Sequence, residues 1–127
     1  MWFEGEGRMM VWCSLVKLGG GLVFCLGGGD EPHIGAVSVA IPYRRKDGEW
    51  SVSTSTITLP SHRDDVITRI IVEKVAKATG KVVVAVGGVH LENATKNEID
   101  EVVMNMEKLA ERIANELRTG ITADAVK

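Results

Sequence analysis

Lys81-Val82-Val83-Val84-Ala85-Val86-Gly87-Gly88-Val89-His90-Leu91-Glu92-Asn93-Ala94-Thr95 is the stretch whose pattern decides the fold. Its first six residues form a short, nearly unbroken apolar run, the pattern of a strand covered on both faces, so 81–86 is predicted to be a central strand. Thr95 and Glu98 have capping-box spacing, and Ile99, Val102, Val103, Met106, Leu109, Ile113, Ala114 and Leu117 then recur on one helical face. Upstream of the strand, Ile67, Ile70, Ile71, Val75 and Ala78 make a shorter helical stripe. Gly80 is its expected stop, because glycine enters the left-handed turn after a helix without steric cost.

The first half carries no helical period. Residues 10–18 and 22–26 are β-rich runs around Gly19-Gly20-Gly21, which is a hairpin signal, and residues 27–32 break the pattern. Residues 34–41 and 50–59 form a second pair joined by a turn containing Asp47 and Gly48. The predicted class is α/β (α+β): a two-layer sandwich with a mixed, mostly antiparallel sheet of about five strands and two helices on one face. A sheet covered on both faces is the alternative. At 127 residues the chain reads as one domain, 1–127, with a loose tail over 118–127.

Hydrophobic residues make up 45% and charged residues 25%, which excludes a mainly disordered chain. A net charge of −2 gives no general attraction to nucleic acid or anionic lipid, and the one basic cluster, Arg44-Arg45-Lys46, reads as a solvated turn. Ser14, Lys17 and glycines interrupt the apolar stretch 9–26, so no membrane span is predicted, and Glu4 and Glu6 ahead of it do not suit a secretory signal. The expected compartment is the cytoplasm. Cys13 and Cys25 flank Gly19 symmetrically; a disulfide across the hairpin is conceivable, and two buried thiols are the reading that suits a reducing compartment.

Loops 60–65 and 87–95 each run from a strand into a helix start. A right-handed crossover brings both to the same carboxyl edge of the sheet, where open α/β sheets bind ligands. They deliver Ser61, His62, Arg63, Asp64 and Asp65 from one side and Gly87, Gly88, His90, Glu92 and Asn93 from the other. Ser61 and Asp64 resemble a capping box with Asp in place of Glu or Gln. Free amides at the helix starts, Arg63 and the permissive backbone of Gly87 and Gly88 suit a phosphate or carboxylate; equally, the same residues can serve only to turn the chain and start the helices. His62 and His90 with Asp64, Asp65 or Glu92 could bind zinc or work as acid and base, but no His-Glu-x-x-His, Cys-x-x-Cys or nucleophile elbow supports it. No catalytic set is assigned. His33 reads as a loop residue, and the glycines at 19 and 27 as turns. Ser53, Thr54, Ser55, Thr56 and Thr58 read either as an edge strand or as a polar floor leading to His62.

The series Gly35-Ala36-Val37, Ser53-Thr54-Ser55, Leu59-Pro60-Ser61-His62-Arg63-Asp64-Asp65 and Gly87-Gly88-Val89-His90-Leu91-Glu92-Asn93-Ala94-Thr95 resembles the D subunit of gallate decarboxylase, a prenylated-flavin chaperone family. The likeness runs from Ile34 to about Leu117 and leaves residues 1–30 without a family signal. It implies a non-catalytic protein that binds prenylated FMN, or FMN, and delivers it from a flavin prenyltransferase to a UbiD-type decarboxylase. His62, Arg63, His90 and Asn93 carry over; where the family pattern has Ile and Asp after the second-loop His, this chain has Leu91 and Glu92. A small metal-dependent enzyme and a structural subunit of a decarboxylase complex are the alternatives. Strand 81–86 is apolar on both faces and two helices cover one, so a homo-oligomer through the helix-free face is expected, with Trp2, Phe3, Trp12 and Trp50 adding apolar area. An N-terminal arm, 1–7, folded over that face would instead leave a monomer.

Overall fold

The computed structural model describes residues 1–59 and 64–126, with side chains as far as residue 120. Strands β1 (Trp2–Glu4), β2 (Val11–Leu18), β3 (Gly21–Gly29), β4 (Glu31–Arg44), β5 (Trp50–Thr58) and β6 (Val83–His90) form one sheet in the order β1-β2-β3-β6-β4-β5. Helices α1 (Asp65–Thr79) and α2 (Lys96–Val126) follow β5 and β6, and a single 3₁₀ turn, Gly7–Met9, follows β1. Only β3 and β6 pair in parallel; every other neighbouring pair is antiparallel. The sheet is therefore mixed and mostly antiparallel, and the extra strand beyond the expected five is the N-terminal β1. Among the described residues no helix is long and apolar enough to cross a membrane.

The core lies between the sheet and the helices. Val11, Phe24, Leu26, Val83 and Ala85 from the strands meet Ile71, Val75, Met106, Leu109 and Ile113 from the helices, all buried. Gly80 closes α1 with a left-handed φ of 69°, as its sequence position implies. Thr95 and Glu98 make the reciprocal capping box at α2: the Glu98 amide donates to Thr95 Oγ1 at 3.1 Å, and the Thr95 amide to Glu98 Oε1 at 3.0 Å. α2 continues through Gly120 to Val126, where a loose tail was expected; one glycine weakens a helix by about 1 kcal/mol and need not end it.

Three local readings are corrected. Gly27, Gly28 and Gly29 belong to β3 and pair with Gly88, Val89 and His90, so they extend a strand instead of turning the chain. Gly27 lies under Trp12 and Pro32, where a Cβ would come within 2.6 Å of the indole. The hairpin turns on Gly19 and Gly20, with Leu18 opposite Gly21, so Cys13 faces Leu26 and Cys25 faces Ser14. That one-residue offset puts the two thiols on opposite faces of the sheet and rules out the bridge. Cys13 is buried, and burial pushes its pKa up to about 12; Cys25 is exposed. Finally, Trp2 packs toward Phe24, with ring centroids 6.3 Å apart, and Trp50 lies against Gly80 beneath the Arg44 guanidinium, so neither adds to the helix-free face. The arm 1–7 forms the edge strand β1 and is not folded over that face.

The helix-free face is ordered by register into two rows across the central strands: Ser14-Cys25-Val86-Val37-Ile57 and Val16-Val23-Val84-Val39-Ser55. On the opposite face the hydroxyls of β5 point into the layer of α1: Thr54 donates to Glu73 at 2.6 Å, and Ser38 joins Thr56 and Thr68, each at 2.8 Å. β5 is thus an edge strand whose threonines anchor the first helix.

Candidate functional site

β5 and β6 both run antiparallel to β4, so they are parallel to each other, and their carboxyl ends share one edge of the sheet. β3, parallel to β6, ends there as well, and β4 begins there. The edge thus gathers four strand ends, with the starts of both helices above them. In β4 the register with β6 jumps from Pro32–Val89 to Ala36–Gly87, a bulge that sets His33, Ile34 and Gly35 opposite Gly88. Bulges re-aim side chains, and this one carries His33 to the first turn of α1.

Asp64 is the residue that joins these parts. It occupies the N-cap of α1 yet makes no side-chain cap bond. Its carboxylate accepts the Val89 amide at 2.9 Å on one oxygen and meets His33 Nε2 at 2.8 Å on the other. The residue is 8% exposed, so these partners replace the water a carboxylate needs. Gly35 and Gly88 make the space: a Cβ on Gly88 would stand 2.5 Å from Asp64 Oδ2, and one on Gly35 would overlap the same oxygen. The open backbone at Gly88 is thus filled by the chain's own carboxylate. Gly87, at φ 147°, lies so close to the Leu26 carbonyl that no side chain fits.

Beside this latch is a cavity of about 520 Å³, within the range of small-molecule sites. Its walls are mainly apolar, from Val66 and Ile67 of α1, Val89 and Leu91 at the end of β6, and Ile99 and Val102 of α2. Val66 and Ile99 line it while remaining 47% and 51% exposed, so aliphatic side chains border its opening to solvent. His33, Asp64 and His90 are its polar contribution, with the two imidazoles 5.9 Å apart between centroids.

The loop after β6 is tied down by residues distant in sequence. Arg8 donates to Asp30 Oδ2 at 2.8 Å, to Glu98 at 3.2 Å and to the Glu92 carbonyl at 2.6 Å, while Asp30 accepts the Glu92 amide at 2.9 Å. The Glu92 amide, with the Arg8 guanidinium, holds Asp30 below the usual carboxylate range, and the Thr95 amide does the same for Glu98. Asn93 takes φ 51°, a left-handed turn that asparagine tolerates, and is exposed outside the cavity.

Of the residues singled out in sequence, Asp64 and His90 line the cavity, Gly87 and Gly88 lie in β6 just before the lining residues Val89 and His90, and Asp65 opens α1 without lining it. Ser61, His62 and Arg63 lie outside the described residues. Among the described residues no three His, Cys, Asp or Glu side chains converge closely enough to hold a metal ion. His33, Arg8 and Asp30 were missed. Gly35 inside a β-rich run was the available signal for the bulge that positions His33.

The chain matches the prenylated flavin chaperone LpdD-like domain over residues 5–118. It belongs to that family. No curated protein matches it. The LpdD-like match begins at residue 5, so it takes in the N-terminal hairpin that the sequence resemblance did not reach, and with it Arg8 and Asp30. In this LpdD-like chain the cavity, the latch and the Arg8 cluster all fall inside the matched residues.

Glu92 also acts on His90. Its carboxylate meets His90 Nε2 at 2.9 Å and raises the imidazole pKa, with Glu31 and Asp30 adding smaller attractions. A raised folded-state value stabilises the fold at pH values below about 6.5, and that contribution is lost as pH rises through the folded value. We expect an NMR titration of His90 to give a midpoint above 6.5 that falls in Glu92→Gln. The melting-temperature difference between wild type and Glu92→Gln should be larger at acid than at alkaline pH. An unshifted midpoint would separate His90 from Glu92.

Proposed function

We propose that this LpdD-like chain binds prenylated FMN in the cavity between α1, α2 and the end of β6, and delivers it from a flavin prenyltransferase to a UbiD-type decarboxylase without catalysing a reaction itself. One observation carries the reading: an apolar chamber of about 520 Å³, with exposed aliphatic walls and polar groups only at His33, Asp64 and His90, in a chain of a family named for prenylated flavin. Aliphatic walls suit a ring system enlarged by an isoprenoid unit. His33 and His90, with Asp64, make the polar end of the chamber, where the polar edge of the flavin would lie. Ser61, His62 and Arg63 are proposed to hold the phosphate, Arg63 through a charge-assisted contact.

Native mass spectrometry after coexpression with a flavin prenyltransferase tests it. The expected spectrum contains protein carrying one prenylated FMN per chain. Ile99→Asp, which places a carboxylate on the apolar wall at an already exposed position, is expected to lower affinity at least about tenfold while the fold persists. Ligand-free protein, or equal loading of the variant, would remove the cavity from this role.

A further inference from the structure

We propose that two copies of this chain pair through their helix-free sheet faces, forming a two-fold symmetric sheet-on-sheet dimer whose ligand cavities face outward. The two cross-strand rows set out above contain no charged side chain and are dominated by valine. They are also uncovered: Ile57 is 70% exposed and Val16 56%, and Ile41, the next residue of β4 on the same face, is 54% exposed. No described helix, loop or arm lies over them, and Phe3, half exposed in β1, extends the patch toward the other edge.

Area favours a second copy. The five longer strands, about 4.8 Å apart and each at least roughly 25 Å long, present on the order of 600 Å² in plan, more once side-chain relief and the short β1 are counted. A specific, stable interface covers about 600–1,000 Å² on each partner. Charge points the same way, because a two-fold contact sets every central residue near its own copy, and a face that lacks charge has nothing to repel itself. β-branched side chains on a pleated surface interdigitate well when sheets stack about 10 Å apart. Val84, Val86 and Cys25 sit on β6 and β3, the middle strands, so the two-fold axis is placed there. The cavity lies among the helices on the opposite side, so pairing leaves it open.

Sedimentation equilibrium at micromolar concentration should return twice 13.7 kDa. Val84→Lys sets two like charges across the axis and should give a folded monomer, with dissociation at least about a hundredfold easier. Cys25 is a second probe that needs no mutation. Its reaction with a maleimide should be slowed at least about tenfold in concentrated protein and recover on dilution, while the buried Cys13 stays silent at all concentrations. A 13.7 kDa species throughout, a mass above two copies, or a Cys25 rate independent of concentration would each overturn the dimer. Flavin loading in the Val84→Lys monomer reports separately on the cavity, so failure of one proposal is distinguishable from failure of the other.

Discussion

Gly87→Ala is expected to destabilise the chain by about 3 kcal/mol or more, enough to lower its melting temperature by roughly 10 °C. Two costs add. At φ 147° the backbone lies in a region that is essentially glycine's own, and a residue with a side chain pays about 1–3 kcal/mol to remain there. The added methyl would also collide with the Leu26 backbone across the parallel β3–β6 pair, which cannot yield as the end of a flexible side chain could. Because β3 and β6 are the middle strands of the sheet, separating them disturbs the whole core. Gly20→Ala is the matched control: an ordinary φ, open space around its Cβ and an expected loss near zero. Thermal denaturation followed by circular dichroism compares the two. Equal melting temperatures for Gly87→Ala and wild type would show that the β3–β6 pair is not as close as described.

Asp64→Ala is expected to cost about 2–4 kcal/mol and to abolish ligand loading. The substitution strands the Val89 amide without its acceptor, removes one partner of the His33 ring, and opens one wall of the cavity. A double-mutant cycle separates this account from simple loss of a helix cap. Gly35→Ala alone should also destabilise, by about 2 kcal/mol, because its methyl overlaps the Asp64 carboxylate. Once the carboxylate is gone that methyl has room. Asp64→Ala with Gly35→Ala should therefore fall short of the summed single losses by about 1 kcal/mol or more. Strict additivity in urea titrations would mean that the carboxylate does not occupy the space over Gly35.

Whatever depends on neighbours along the chain could be read from the chain. The stripe on α2, the Thr95–Glu98 capping box, the left-handed stop at Gly80 and the central strand before Gly87 are periodicities or short-range hydrogen bonds, and each appears in place, although within one chain that strand is covered by helices on one face only. So does the common edge at which β5 and β6 end and α1 and α2 begin, because strand direction follows from counting crossings. The fate of individual side chains was decided by pairing across long separations. One residue of hairpin offset sent Cys13 inward and Cys25 outward. A bulge opposite Gly88 turned His33 from a loop residue into Asp64's partner, and register alone made a strand of Gly27–Gly29. Asp64 had the spacing of a helix-capping residue, yet its carboxylate serves β6 and β4, since a buried charge goes to whichever donors the tertiary packing supplies. Composition and local pattern determined the layers, the helices and the edge where both helices start; register, set only when the sheet closes, decided which polar groups meet there.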